Sequence, residues 1–362
     1  MLNSTFLKVY KKPILATIAS LIGYYFFGYE LIRGNFNSVL ISYTGLFLLF
    51  LYLIKTELTW KSLVIITIIF RIVLLFATPN LSQDFYRFIW DGRMLLSGFN
   101  PYLYLPEIYQ TPNYIIPNQA AELVSGMGSL NASHYSNYPP LNQLCFAIAA
   151  LFANKSILGS IVVMRVLIIL ADIGVLYFGE KLLKALHLNP KSIFLYLLNP
   201  LIIIELTGNL HFEGIMIFFL IWSLYLLQIS KWKLAAIPLA GSIVLKLLPL
   251  LFLPLFFKQL KFKKLFIFYA IIGLLILLLF IPFLSENLLI NYSKTIGLWF
   301  GQFEFNGSIH NLIKYIALQF NQYHIVKFLG KTTPILVVLI IGFLAFIQKR
   351  ENKISLITTM LF

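Results

Sequence analysis

"SLVIITIIFRIVLLFATPNLSQDFYRFIWDGRMLLSGFNPY" (residues 62–102) joins an apolar run over 62–78 to a segment that sets Asp84, Arg87, Asp91 and Arg93 among aromatic side chains. A spanning helix needs about 20 apolar residues, and runs of this kind recur from Pro13 almost to the end of the chain. The composition agrees: of 362 residues 60% are hydrophobic and 11% charged, too few polar groups to cover a soluble globule of that size. The expected fold is therefore all-α, a polytopic transmembrane helical bundle. It forms one domain over 1–362, with about eight to ten membrane segments and no separable soluble part. A single cysteine, Cys145, excludes an internal disulfide framework and a cysteine-based metal site.

The formal charge of +15 does not point to nucleic acid, because the lysines fall in short clusters between apolar runs, where they act as topology signals. No small-residue cleavage site follows MLNSTFLKVYKK, so the first run is read as a retained helix. With Lys8, Lys11 and Lys12 inside, residues 13–29 run outward, 38–54 return, and 62–78 run out again. The long stretch over about residues 79–140 then lies outside. Residues 141–153 are too short to cross and are read as re-entrant or interfacial. Residues 157–179 run inward. Pro238, Lys246, Pro249 and Pro254 interrupt 234–257, which is read as a broken, re-entrant pair. Residues 265–283 exit, 285–320 are external, and a helix near 334–348 returns. The final ISLITTMLF begins a further apolar run, and one reading is that the sequence is a truncated form of a longer chain.

Within the external stretch, Ser82 suits a helix N-cap and Gly98 a stop. At helical period Phe85, Phe88, Ile89, Gly92, Leu95 and Leu96 share one face, which predicts an amphipathic helix lying on the membrane. Asp84, Arg87 and Asp91 form a stripe along the edge of that face, while Tyr86, Trp90 and Arg93 lie on the far side. The stripe is either a set of helix pairs on a wet surface or a site. In the second case an acid takes a proton from an acceptor hydroxyl and an arginine holds a phosphate leaving group.

These residues resemble the first external loop of bacterial GT-C glycosyltransferases, especially the mannosyltransferase-like members, which read approximately S-D-D-x-x-R-Y-x-W-D-G-x-x-x-x-G-x-N-P-Y. Further matches follow in order: NYPPL at 137–141, LNPLIIIELTGNLHFEG at 198–214, KLLPLLFLP at 246–254 and FEFNGSIHNLIKY at 303–315. The resemblance implies an inverting glycosyltransferase that takes its sugar from a polyprenyl-phosphate donor and passes it to a glycan or lipid acceptor. The implied location is the external, periplasmic side of a bacterial inner membrane. It assigns the general base to Asp84, with Asp91 as second candidate or as a residue positioning Arg87 and Arg93. Where the family often has two adjacent acids, this sequence has Gln83 and Asp84. Tyr138 falls among the expected substrate contacts.

Glu205, Asn209, His211 and Glu213 gather at one helix end, where ionisable groups are costly unless partnered or wet. Glu205, Asn209 and His211 are expected to bind sugar hydroxyls or phosphate, and Glu213 is read equally well as a polar cap. His211 and Glu213 lack a third ligand at telling spacing, so no metal is assigned and no cofactor expected. Lys246 lies at membrane depth, where a charge costs about 2.5–3.5 kcal/mol. It either faces a cavity and meets the donor phosphate or snorkels. Arg165 and Asp172 are too far apart to pair and are read as bonding to neighbouring helices. Arg71 is either the partner of Asp172 or a connection to the site. Asn306, with Ser308 and His310, is expected to contact acceptor or lipid. A transporter or flippase, or a non-catalytic assembly protein, are the rival classes.

The orientation is open to direct measurement: a Ser125→Cys variant is expected to react with a membrane-impermeant thiol reagent in intact cells, and absence of labelling overturns the topology.

Overall fold

The structure, a computed structural model, describes residues 4–110, 116–257, 259–301, 308–320 and 323–347. Among them every regular element is helical. In chain order the α-helices are α1 (Ser4–Tyr29), α2 (Phe36–Lys55), α3 (Trp60–Ile72), α4 (Asp84–Leu96), α5 (Ala120–Ala132), α6 (Pro140–Ala153) and α7 (Ile157–Ala185). They continue as α8 (Phe194–Leu197), α9 (Glu213–Gln228), α10 (Trp232–Leu245), α11 (Phe262–Phe280), α12 (Leu288–Gly301), α13 (Ser308–Gln319) and α14 (Tyr323–Ile347).

Among the described residues three rods are long and apolar enough to cross a membrane: α2, α7, and Phe262–Phe283, which joins α11 to a short 3-10 turn. A fourth candidate is the pair Pro190–Leu197 and Ile202–Gly208, bent by 64°. By length and composition these helices mark the chain as a membrane protein. At 1.5 Å per residue α6 spans about 21 Å, well short of a hydrocarbon core about 30 Å thick.

Residues 62–78 do not form one helix. The α-helix ends at Ile72 and residues 73–76 unwind into turns. The released backbone is satisfied from α7, where Arg165 donates through Nη1 to the Leu75 carbonyl at 2.7 Å. The same guanidinium donates through Nε to Thr207 O (2.9 Å) and through Nη2 to Gly208 O (2.8 Å). Those two carbonyls end a π-helical turn, Ile202–Gly208. One buried arginine thus closes two irregular helix ends, where carbonyls would otherwise lack partners. One turn pair further along α7, Asp172 accepts from Arg71 Nε at 2.6 Å, both side chains 1% exposed. Arg71 also donates to the Thr67 and Leu197 carbonyls, so α3, α7 and α8 meet at one charge pair.

The interruption expected within 234–257 falls at Lys246. Its backbone is extended (φ −151°, ψ 133°) between α10 and a 3-10 segment, Leu248–Phe256. Pro238 is accommodated inside α10, whereas Pro249 and Pro254 lie in the 3-10 segment.

Helix α4 departs most from the sequence expectation. Its bounds agree, and Gly98 supplies the left-handed stop at φ +83°, but neither face is open. α6 and α7 cover the apolar side, and α5 packs against the polar side. Trp90, Asp91, Arg93 and Met94 are 0% exposed. The cap is Gln83, which makes no side-chain capping bond; Ser82 Oγ instead accepts from the Asp84 amide at 3.3 Å. The polar stripe that resembled a wet surface is an internal seam between α4 and the folded-back loop. Closest approach is at Gly92, where an added Cβ would stand 2.1 Å from the Phe146 carbonyl oxygen of α6. Gly92→Ala is accordingly expected to lower stability by about 1–3 kcal/mol through forced separation of α4 and α6. Thermal unfolding in detergent measures this, and an unchanged midpoint contradicts the packing.

Candidate functional site

Asp84 begins α4, where the helix N-terminus stabilises negative charge. Its side chain is partly exposed. Oδ1 accepts from Asn131 Nδ2 at 3.1 Å, and among the described residues Oδ2 has no hydrogen-bond partner. Two turns along, Asp91 is the opposite case. Its Oδ1 accepts from Arg87 Nε at 2.8 Å, and its Oδ2 accepts from Ser136 Oγ and, at 2.9 Å, from Gln143 Nε2. Gln143 also donates to Ser136. A buried carboxylate with both oxygens engaged is suited to holding structure together rather than to taking up a proton.

The arginines are equally enclosed. Arg87 donates through Nη1 to the Asn131 and His134 carbonyls (2.8 and 2.7 Å) and lies 5.4 Å from the Trp90 ring centroid. It therefore ties residues 131–136 onto α4. Arg93 does not reach Asp91. Its Nη1 donates to Asn118 O (2.7 Å) and Gln119 Oε1 (2.9 Å), and burial pushes its pKa down to about 10, against the opposing pull of Glu122. It remains a cation at neutral pH.

Tyr138 joins the parts. Its ring meets Phe88 and Phe146 edge-on at 5.0 and 5.5 Å, and those rings both abut Phe212. Burial raises its pKa well above the usual phenol value, and the charges of Asp84, Asp91 and Glu213 add to the rise, so the hydroxyl stays protonated. The Tyr138 carbonyl accepts from Tyr102 Oη at 2.5 Å. Tyr102, from the N-P-Y end of the opening stretch, is itself anchored: Asn291 Nδ2 donates to its carbonyl at 3.1 Å, and Asn100 Nδ2 donates to Phe283 O at 2.9 Å.

On the far side of Phe212, Glu213 pairs with Lys246 through Oε1 and Nζ, with side chains 32% and 49% exposed. The carbonyl of Leu245, freed by the break of α10, accepts from Asn142 Nδ2 of α6 at 2.6 Å. The compensation that Lys246 requires comes from Glu213. A second group lies around the π-helical turn. Glu205 Oε1 accepts from Tyr43 Oη at 2.7 Å, and its Oε2 lies 3.4 Å from Asn209 Nδ2 and 3.6 Å from His211 Nδ1. Asn209 Oδ1 in turn accepts from the Leu81 amide at 3.1 Å, tying this turn to the strand of chain that enters α4. Among the described residues no three or more His, Cys, Asp or Glu side chains gather around a point where a metal ion would sit. Asn306 lies outside the described residues.

The structure thus brings Asp84, Arg87, Asp91 and Tyr138 together, with Glu213 and Lys246 beside them, and groups Glu205 with Asn209 and His211. Asn131, Ser136, Gln143, Tyr43 and Tyr102 complete the arrangement, and of these only Tyr102, in the N-P-Y motif, stood out in the sequence. For the others the one signal was the amide pair Asn142 and Gln143 opening an otherwise apolar helix.

A family model described as MptA_B family, Alpha-(1->6)-mannopyranosyltransferase, N-terminal domain, matches residues 23–260. The chain belongs to this family. It is a mannosyltransferase-like protein of the GT-C type, in keeping with its motif order. Among curated proteins it is similar to Alpha-(1->6)-mannopyranosyltransferase A of Mycobacterium tuberculosis, 26% identical over 165 residues, which cover 45% of this chain and 29% of that one. It is also similar to Alpha-(1->6)-mannopyranosyltransferase B of Corynebacterium glutamicum, 25% identical over 155 residues, covering 42% and 24% respectively. The matched segment thus spans less than a third of each relative's length. No solved structure matches the chain. The region matched by the family model contains every side chain of the two groups above.

If Asp91 is the fastening point of this seam, Asp91→Asn leaves the Arg87 cation buried without its counter-charge. The expected cost is about 3–5 kcal/mol, with faster proteolytic cleavage around residues 131–136. Wild-type resistance to protease contradicts it.

Proposed function

We propose that this family member transfers mannose from a polyprenyl-phosphate donor to a lipid- or envelope-linked acceptor at the external face of the plasma membrane, with inversion at the anomeric carbon. The observation that carries the reading is Asp84: a partly exposed carboxylate at a helix N-terminus, with one oxygen held and the other without a partner among the described residues. The acceptor hydroxyl oxygen attacks the anomeric carbon while Asp84 Oδ2 takes its proton. The bond from that carbon to the phosphate oxygen breaks, and its electron pair leaves with the polyprenyl phosphate. The relatives' names specify an α-(1->6) product, which inversion yields from a β-linked donor.

The negative charge that develops on the leaving phosphate needs a cation. Arg87 and Arg93 are buried and bonded to Asp91, Gln119 and the carbonyls of residues 118, 131 and 134, so we assign them to fastening the loop. Lys246, half exposed and at the break of α10, is assigned to the phosphate. Asp91 is assigned to positioning. Tyr138, whose hydroxyl stays protonated, offers a donor to a sugar or phosphate oxygen. Glu205 and His211, supported by the resemblance and by their part exposure, are assigned to sugar hydroxyls, with the buried Asn209 holding Glu205 beside them. Membrane lipids surround the apolar helices, which lets both lipid tails remain in the bilayer while the head groups react beside α4.

Two variants separate these roles in membranes supplied with polyprenyl-phosphate mannose and an alkyl α-(1->6)-dimannoside. Asp84→Asn is expected to lower kcat by about 10²–10⁴-fold with the donor KM little changed. Lys246→Met is expected to raise the donor KM and lower kcat together. Undiminished transfer by Asp84→Asn at normal expression removes Asp84 as the base.

A further inference from the structure

Among the described residues the Asp84 carboxylate is held by one side chain, and that side chain belongs to a connected line. Asn131 sits in the last turn of α5. Its side-chain amide donates to Asp84 Oδ1 at 3.1 Å, and its main-chain carbonyl accepts from Arg87 Nη1 at 2.8 Å. Arg87 is fixed in turn by Asp91, which Ser136 and Gln143 hold from the other side. Both ends of Asn131 are therefore determined: the backbone by a buried guanidinium 3% exposed, the side chain by the carboxylate it meets.

We infer that Asn131 is the positioning residue of the transfer reaction. It occupies Asp84 Oδ1 and so directs Oδ2 toward the acceptor hydroxyl, with Asp91 and Arg87 setting the place of Asn131. This inference rests on Asp84 acting as the base. A carboxylate is symmetric, and a free one on a single-bonded stem turns to offer either oxygen to water or to a neighbouring cation. One directed donor removes that freedom before the acceptor arrives, which is the geometric control that proton transfer in a transition state demands. The arrangement also explains why an amide suits this position. A carboxylate would repel Asp84, and an ammonium would compete with Lys246 for the donor phosphate and pair with the base.

The test uses the full chain in membranes, with polyprenyl-phosphate mannose and the alkyl α-(1->6)-dimannoside as probes. Asn131→Ala is expected to lower kcat by about ten- to a hundred-fold with the donor KM unchanged. In an Asp84→Asn background the same substitution is expected to add nothing, since there is no longer a base to aim. The isosteric Asn131→Asp keeps the side-chain volume, and so covers the case in which the alanine variant fails to fold; it is expected to lower kcat at least as far. A loss that appears in the donor KM, or that multiplies with Asp84→Asn, marks Asn131 as structural only and overturns the inference. Full kcat in Asn131→Asp, with Asp84→Asn inactive, overturns the inference while leaving the base in place. Full activity in Asp84→Asn overturns both.

Discussion

The Asp91 carboxylate is the point from which the rest of the site is built. It lies on the buried side of α4 and is met by α6 through Gln143, by the returning loop through Ser136, and by its own helix through Arg87. Ser136 and Gln143, 45 and 52 residues beyond Asp91 in sequence, meet it together with Arg87 of its own helix on two oxygen atoms. A buried carboxylate is costly to desolvate and tolerable only when its lone pairs are filled. Its strength is therefore conditional on all three donors arriving together, and that condition specifies how the loop folds back. The partly exposed Asp84 at the front of the same helix is the counterpart: the chain encloses one aspartate completely and, among the described residues, engages only one oxygen of the other.

The same logic recurs deeper in the bundle. Arg165 spends its donors on the carbonyls of Leu75, Thr207 and Gly208, where helices stop being regular. Arg71 and Asp172 neutralise one another between α3, α7 and α8. In water such groups would face solvent; in an apolar bundle an irregular turn persists only where a side chain replaces the missing backbone partner. The π-helical turn that presents Glu205, Asn209 and His211 is irregular for this reason, and Arg165 is what lets it be so.

Much of this was written in the residues. The apolar runs gave the all-helical class, Gly98 marked the end of α4, and the prolines within 234–257 gave an interruption there, though not its place at Lys246. The partnership of Arg71 with Asp172 was one of two open readings, because buried charges must find each other. What remained hidden shares a single cause. Arg87, Arg93 and Arg165 act on main-chain carbonyls, and a carbonyl belongs to every residue type, so its position leaves no mark on composition or period. The amphipathic pattern of α4 was read correctly as a pattern and differently as an environment. Period reports which residues share a face, whereas the covering of the polar face by α5 depends on contacts distant in sequence. Asn131 and Glu213 were obscured similarly, since each gains its meaning from a partner far along the chain.

The N-P-Y segment has a mechanical side. Tyr102 touches the Tyr138 carbonyl with its hydroxyl, while Asn291 of α12 holds its own carbonyl, and Asn100 grips Phe283 at the end of the rod that begins with α11. That rod is one of the longest apolar elements in the fold, and long apolar helices tilt to match the thickness of the bilayer around them. A tilt of that rod would be felt at Tyr138 through Asn100 and Tyr102, which makes the thickness of the surrounding bilayer a mechanical input to the loop packed on α4.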